Sequence, residues 1–237
     1  MGKQRIKSRM LHSFLHDPSA IAGCVILVVF ILAALLAPWI TPQNTNDLET
    51  LTLEHFLTPP IWMEEGTAPY LLGTGDQGRG IFSTIICGCR TSLIVGFSVV
   101  LIAGTVGVIM GLLAGYYGGW IDAVTMRLAD TLFSFSTTLL AFLFLGISGG
   151  GSILIVILAI CIAGWVRYAR TMRGSVLEVK EEAYIMAAKA TGAGDVRLLF
   201  KHLLPTAIPP MWVVVAVDLA VVIMLEATLG CLGVGGP

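Results

Sequence analysis

What most constrains this chain is the length of its uncharged apolar runs. Residues 20–40 and 92–115 hold no charged side chain at all. Three further runs come close: 129–147 with Asp130, 152–168 with Arg167, and 207–230 with Asp218 and Glu226. A helix needs about 20 mostly apolar residues to cross the hydrocarbon core of a bilayer. Composition agrees with that reading. Of 237 residues, 56% are hydrophobic and 12% charged, against roughly 25% charged in a soluble domain. Such a chain cannot clothe a compact fold in water without a large apolar skin. A soluble enzyme, a nucleic-acid binder and a disordered tail are therefore excluded. The expectation is an all-α polytopic membrane protein with five spans. An N-terminal arm (1–19) precedes them, segment 41–91 links the first two, and a long loop (171–205) links the last two.

Lys3, Arg5, Lys7 and Arg9 precede the first run, as they would in a secretory signal. The run is longer than a signal core of about 7–15 residues, and no small-x-small cleavage site follows, so it reads as an uncleaved anchor. Lys and Arg also set the orientation, because cytoplasmic loops are enriched in them. All but two of the 14 basic residues fall in the N-terminal arm, at Arg127, or between 167 and 201. The exceptions, Arg79 and Arg90, lie in segment 41–91, which is acidic through Asp47, Glu49, Glu54, Glu64, Glu65 and Asp76. The N-terminus and loop 171–205 are expected in the cytoplasm, and segment 41–91 outside.

Gly107, Gly111, Gly115 and Gly119 recur every fourth residue, which would line one face of the second span. That small-xxx-small spacing lets two helix backbones approach closely in a bilayer. Asp130, Asp218 and Glu226 are costly in hydrocarbon and should face helices, water or a partner subunit. Arg127 is one turn from Asp130 and is its expected partner. Asp218 has no basic neighbour in sequence, so it either contributes to a polar pathway or is satisfied at a helix interface. Glu226 falls near the outer end of its span, where a helix-end hydrogen bond is expected.

In the long loop, Ser175 and Glu178 have capping-box spacing and should open a helix running to about Ala190. Gly192 supplies a turn or C-cap. Asp195 caps a second helix, 196–203, which Pro205 stops. Five cysteines, at 24, 87, 89, 161 and 231, have no His or Cys partners at zinc spacing, and no metal is expected. No Gly-x-x-x-x-Gly-Lys-Ser/Thr loop occurs, so the chain has no nucleotide cradle of that type. The four histidines lie outside the apolar runs, and no His-Glu-x-x-His helix or paired-aspartate motif occurs. No catalytic residue is assigned, and an intramembrane hydrolase is set aside. A passive channel is the rival class.

The run Tyr184-Ile-Met-Ala187-Ala188-Lys-Ala-Thr-Gly192, with Leu204-Pro205, resembles the signature loop of ABC importer permeases, Glu-Ala-Ala-x3-Gly-x9-Ile-x-Leu-Pro. Met186 stands at the usual Glu and His202 at the usual Ile. Leu71-Leu-Gly-Thr74, Gly78-Arg79, Arg90-Thr-Ser-Leu93, Leu113-Ala-Gly-Tyr-Tyr-Gly-Gly119 and Glu226-Ala-Thr-Leu229 are similar to the dipeptide/oligopeptide/nickel group of that family. Gly75 and Gly80 replace two usual aspartates, and Ser136 follows Phe135 where proline is usual. The resemblance covers the chain from about residue 15 in one unbroken order.

It implies a type I transmembrane domain in the bacterial inner membrane, forming half of a translocation pathway for short peptides. Nickel or metal chelates, glutathione and opines are the alternative cargoes. It assigns ATPase coupling to Glu182, Tyr184, Ala187, Ala188, Lys189, Gly192, Leu204 and Pro205. The implied partners are a sister permease, two ATPase subunits that hold ATP and Mg, and an external substrate-binding protein. The lipid bilayer surrounds them, and no nucleic acid is involved. The family continues past residues 232–235 into a sixth span, so this chain is expected to be truncated or part of a longer protein.

Overall fold

The computed structural model describes residues 17–40, 58–63, 70–75, 78–148 and 152–231. The basic arm at 1–16, the acids of segment 41–91 and residues 232–235 lie outside them. The described residues form helices α1 (Pro18–Ile40), α2 (Ile81–Tyr117), α3 (Gly119–Phe133), α4 (Thr137–Ser148), α5 (Ile153–Lys180), α6 (Ala183–Ala190), α7 (Asp195–Arg197), α8 (Leu204–Ala207) and α9 (Pro209–Cys231). A π-helical segment, Leu198–Leu203, joins α7 to α8. No strand longer than a single bridge occurs among the described residues.

Two compact units divide the chain, residues 1–93 and 94–237. In the first, α1 exposes Val25, Ile26, Val29, Phe30 and Leu35 to its surroundings, as expected of a helix apolar on all sides. The Leu-Leu-Gly-Thr motif forms a tight turn leading into α2. Thr74 accepts the Thr58 amide on its hydroxyl at 2.8 Å and donates its own amide to the Thr58 carbonyl at 3.0 Å. Gly73 sits at φ +81°, and a Cβ there would lie 2.6 Å from the Thr58 carbonyl oxygen, so only glycine fits.

The second unit is built around α5. Its Tyr168, Ala169, Met172 and Val176 are buried almost completely, spaced for one face of a helix. Residues 94–117 of α2 pack on that face through glycine. A Cβ on Gly107 would lie 2.4 Å from the Trp165 carbonyl oxygen, one on Gly111 2.3 Å from that of Ala169, and one on Gly115 2.8 Å from Val176. The fourth glycine departs from the expected face. Gly118 and Gly119 have φ of +64° and +54° with open space around both, because α2 has already ended and the chain is turning into α3.

Among the described residues, four helices are long and apolar enough to cross a membrane, and a fifth crossing arises if α3 and α4 count as one broken span. The helices differ from the expected runs in three ways. At 37 residues, α2 is about 55 Å long and extends well beyond 92–115. Run 129–147 is no straight helix: α3 and α4 meet at 86°. The Thr131 and Ser134 hydroxyls donate back to the carbonyls of Arg127 and Asp130, both at 2.9 Å, a competition that loosens a helix end. Finally, α5 does not stop near 168 but continues to Lys180, so Ser175 lies mid-helix and its capping box opens nothing. The apolar period carried by Met172, Val176 and Val179 outweighs the local capping signal.

Candidate functional site

The residues singled out between 182 and 205 form one unit around α6. Glu182 precedes this helix with extended backbone (φ −66°, ψ 139°), and its carbonyl accepts the amides of Ile185 and Met186 at 3.0 and 3.2 Å. Gly192 ends the helix at φ +82°, a left-handed conformation that costs an L-residue about 1–2 kcal/mol. Its amide donates to the Lys189 carbonyl and that of Ala193 to the Ala188 carbonyl, each at 3.1 Å. These two bonds make a Schellman ending, the C-cap expected at this glycine.

Only Ile185 anchors α6 from within, buried in the same core cluster as Leu198 and Leu199. Glu182, Tyr184, Met186, Ala187 and Lys189 are exposed, and Ala188 is partly so. The Tyr184 hydroxyl donates to Thr206 Oγ1 at 3.3 Å. The outcome is a short, glycine-capped helix that presents nearly all of its surface outward.

Two expectations about the following piece are corrected. Gly194, not Asp195, occupies the N-cap of α7. Pro205 does not stop a helix; it sits in the first turn of α8, just after the π-helical turn. That widened turn relieves the clash of a proline ring with the carbonyl four residues back. Leu204 is part-buried and Pro205 exposed.

The acids are paired in a pattern that the sequence alone did not disclose. Arg167, Arg170 and Arg173 of α5 each meet a different aspartate. Arg167 Nη1 lies 2.7 Å from Asp218 Oδ1, out of line for a hydrogen bond, while the Tyr168 hydroxyl donates to Oδ2 at 2.9 Å. Asp218 is 1% exposed, so both contacts offset its desolvation. Arg170 Nη2 donates to Asp130 Oδ1 at 2.6 Å, and its guanidinium lies 4.5 Å from the Phe133 ring centroid. The expected Arg127–Asp130 pair does not form, and the Asp130 side chain is largely exposed rather than enclosed. Arg173 grips Asp122 through both Nε and Nη2, the forked geometry that favours arginine over lysine. The three-residue spacing of these arginines was the available signal.

Asp218, Arg167, Arg170, Phe133, Val213 and Val217 line a cavity of about 380 Å³. It combines apolar walls with three charged groups, as small-molecule sites do. Glu226 stands part-buried further along α9. Tyr116, which the sequence reading gave no role, joins three elements. Its hydroxyl donates to Asp195 Oδ1 at 2.6 Å, and its carbonyl accepts from Lys180 Nζ at 2.7 Å. Among the described residues, no three His, Cys, Asp or Glu side chains gather as metal ligands would.

A family model described as binding-protein-dependent transport system inner membrane component matches residues 107–237. A second, the N-terminal TM domain of oligopeptide transport permease C, matches residues 8–60. The chain is 36% identical over 223 residues to the di/tripeptide transport system permease protein DppC of Pseudomonas aeruginosa, covering 94% of this chain and 72% of that protein. It is 34% identical over 231 residues to the oligopeptide transport system permease protein OppC of Bacillus subtilis, covering 98% and 72%. A similar match, 34% over 225 residues, links it to the glutathione transport system permease protein GsiD of Pectobacterium atrosepticum, covering 94% and 71%.

Proposed function

Because the chain belongs to the binding-protein-dependent transport system inner membrane component family, we propose that it forms half of the translocation pathway of an ATP-driven short-peptide importer. A sister permease completes the pathway, two ATPase subunits supply the energy from ATP and Mg, and an external binding protein delivers the peptide. The observation that carries the coupling part of this reading is α6: a short, glycine-terminated helix with Tyr184, Met186, Ala187 and Lys189 outward. An ATPase that grips this helix differently in its open and closed states does work on the spans. Without such differential contact no ligand shifts the equilibrium. On this reading the N-terminal arm and α6 face the cytoplasm, as the basic residues indicate.

Peptide cargo is supported by the names of the DppC and OppC relatives, and glutathione by that of GsiD. The test uses proteoliposomes holding this chain, its sister permease and both ATPases, with binding protein and labelled dipeptide. Accumulation that requires ATP is expected. Equilibration without ATP would instead establish a passive channel. Competition by glutathione or a nickel chelate separates the cargo classes.

We further assign the Asp218 cavity to the pathway. Asp218→Asn keeps an acceptor for the Tyr168 hydroxyl, removes the charge and turns an NH2 group toward Arg167. Arg167 is a third exposed, so water partly compensates the orphaned guanidinium and assembly should survive. Uptake is expected to slow by at least about tenfold, equivalent to about 1.4 kcal/mol added to one step. Normal uptake by the intact variant complex would make the pair a packing device.

A further inference from the structure

We propose that Tyr116 is the positioning residue through which movement of α6 reaches the membrane-embedded helices; the inference rests on α6 being the ATPase-coupling helix. Three contacts carry it. Lys180, the last residue of α5, donates its Nζ to the Tyr116 carbonyl at 2.7 Å and lies 5.8 Å from the centre of its ring. Asp195, the first residue of α7, accepts the Tyr116 hydroxyl at 2.6 Å. Residues 181–194, which carry α6, therefore leave and return at a single residue, at its backbone carbonyl on one side and its hydroxyl on the other. Tyr116 is 9% exposed and closes the helix whose Gly107, Gly111 and Gly115 pack on α5.

The mechanical consequence follows from where the contacts sit. Ile185 is the only buried residue of α6, so the helix has little grip of its own on the body of the protein. The Tyr184–Thr206 hydrogen bond and the two stems supply the rest. A short hydrogen bond to a carboxylate is among the stronger kinds, and here it ties the return stem to the end of α2. With the stem tied, displacement of α6 pulls on the glycine-packed pair. With the stem released, the 181–194 segment shifts around Gly192 and the displacement is lost in the loop.

Tyr116→Phe is the sharpest probe, because it removes one oxygen and leaves the ring and the backbone carbonyl that holds Lys180. Asp195 is exposed, so its carboxylate stays hydrated and the fold should tolerate the loss. The complex with its sister permease, ATPases and binding protein is reconstituted, and dipeptide accumulated per ATP hydrolysed is measured. Tyr116→Phe and Asp195→Ala are each expected to lower that ratio by about tenfold, the factor of a charge-assisted hydrogen bond at the lower end of its range. The double variant should be no worse than either single one, since both remove the same bond. Asp195→Asn, which keeps an acceptor oxygen, should restore most of the ratio.

A wild-type ratio in Tyr116→Phe would overturn the proposal, as would a double variant whose loss is the product of the two singles. Gly192→Pro serves as the reference arm. If it uncouples transport and Tyr116→Phe does not, the clamp alone fails. If neither changes the ratio, the assignment of α6 as the coupling helix fails with it.

Discussion

Gly111→Ala is expected to destabilise the assembled protein and abolish uptake, although alanine is the better helix former by about 0.8–1.0 kcal/mol. The added Cβ would stand 2.3 Å from the Ala169 carbonyl oxygen and 2.9 Å from Met172 Cβ. The first of these is backbone, which cannot rotate aside, so α2 and α5 must separate. Overpacking of this kind costs about 1–3 kcal/mol, occasionally more, and outweighs the propensity gain. The separation also opens the seam on which Tyr168 and Met172 are buried. Gly107→Ala should behave alike, its Cβ falling 2.4 Å from the Trp165 carbonyl oxygen.

Gly104→Ala provides the control within the same helix. Its Cβ would meet Tyr168 Cε1 at 3.6 Å, an ordinary contact, so this variant should be neutral or slightly stabilising. Thermal unfolding of the purified complex, followed by monodispersity and by dipeptide uptake, gives the comparison. Equal behaviour of Gly111→Ala and Gly104→Ala would mean that the glycine seam is not a close contact in the working protein.

Gly192→Pro is expected to leave membrane insertion intact while separating ATP hydrolysis from uptake. Proline cannot adopt the φ of +82° found here, and it lacks the amide that donates to the Lys189 carbonyl. It also disfavours the conformation of Thr191 before it, at φ −81° and ψ 7°. The Schellman ending is lost, and α6 no longer holds a fixed angle to α7. None of the α2–α5 packing is touched. Peptide accumulated per ATP should fall by about 5–150-fold, the span of a coupling free energy of 1–3 kcal/mol. Gly192→Ala meets no atom within 4 Å and carries only the conformational cost, so its effect should be much smaller. Unchanged uptake per ATP in the proline variant would remove residues 182–205 from the coupling role.

Much of the site was legible because its signals are local. The glycine at the end of α6 announces a left-handed residue, and the structure places its Schellman bonds there. The spacing of Gly107, Gly111 and Gly115 announces a close helix contact, and α5 supplies it. Local signals misled where packing overrode them. Ser175 and Glu178 have capping-box spacing, yet the amides such a box would satisfy are already bonded within α5. Gly119 keeps the four-residue spacing, but the left-handed turn at Gly118 takes it off the helix. The bend between α3 and α4 had a sequence counterpart in Ser134-Phe-Ser136, too weak to weigh against the apolar run around it.

By itself the sequence determined that this chain is a helical membrane protein, which stretches are apolar enough to span, and where the exposed helix ends. Those properties depend on composition, on helical periodicity and on the backbone freedom of single residues, all expressed within a few positions. Tertiary structure alone decided which charges meet. Asp130 pairs across 40 residues with Arg170, and not with Arg127 one turn away. Arg173 and Asp122 are 51 apart, and Tyr116 and Asp195 are 79 apart. Such pairs depend on how helices cross and rotate against one another, which side-chain packing sets over the whole unit. No spacing along the chain records that geometry.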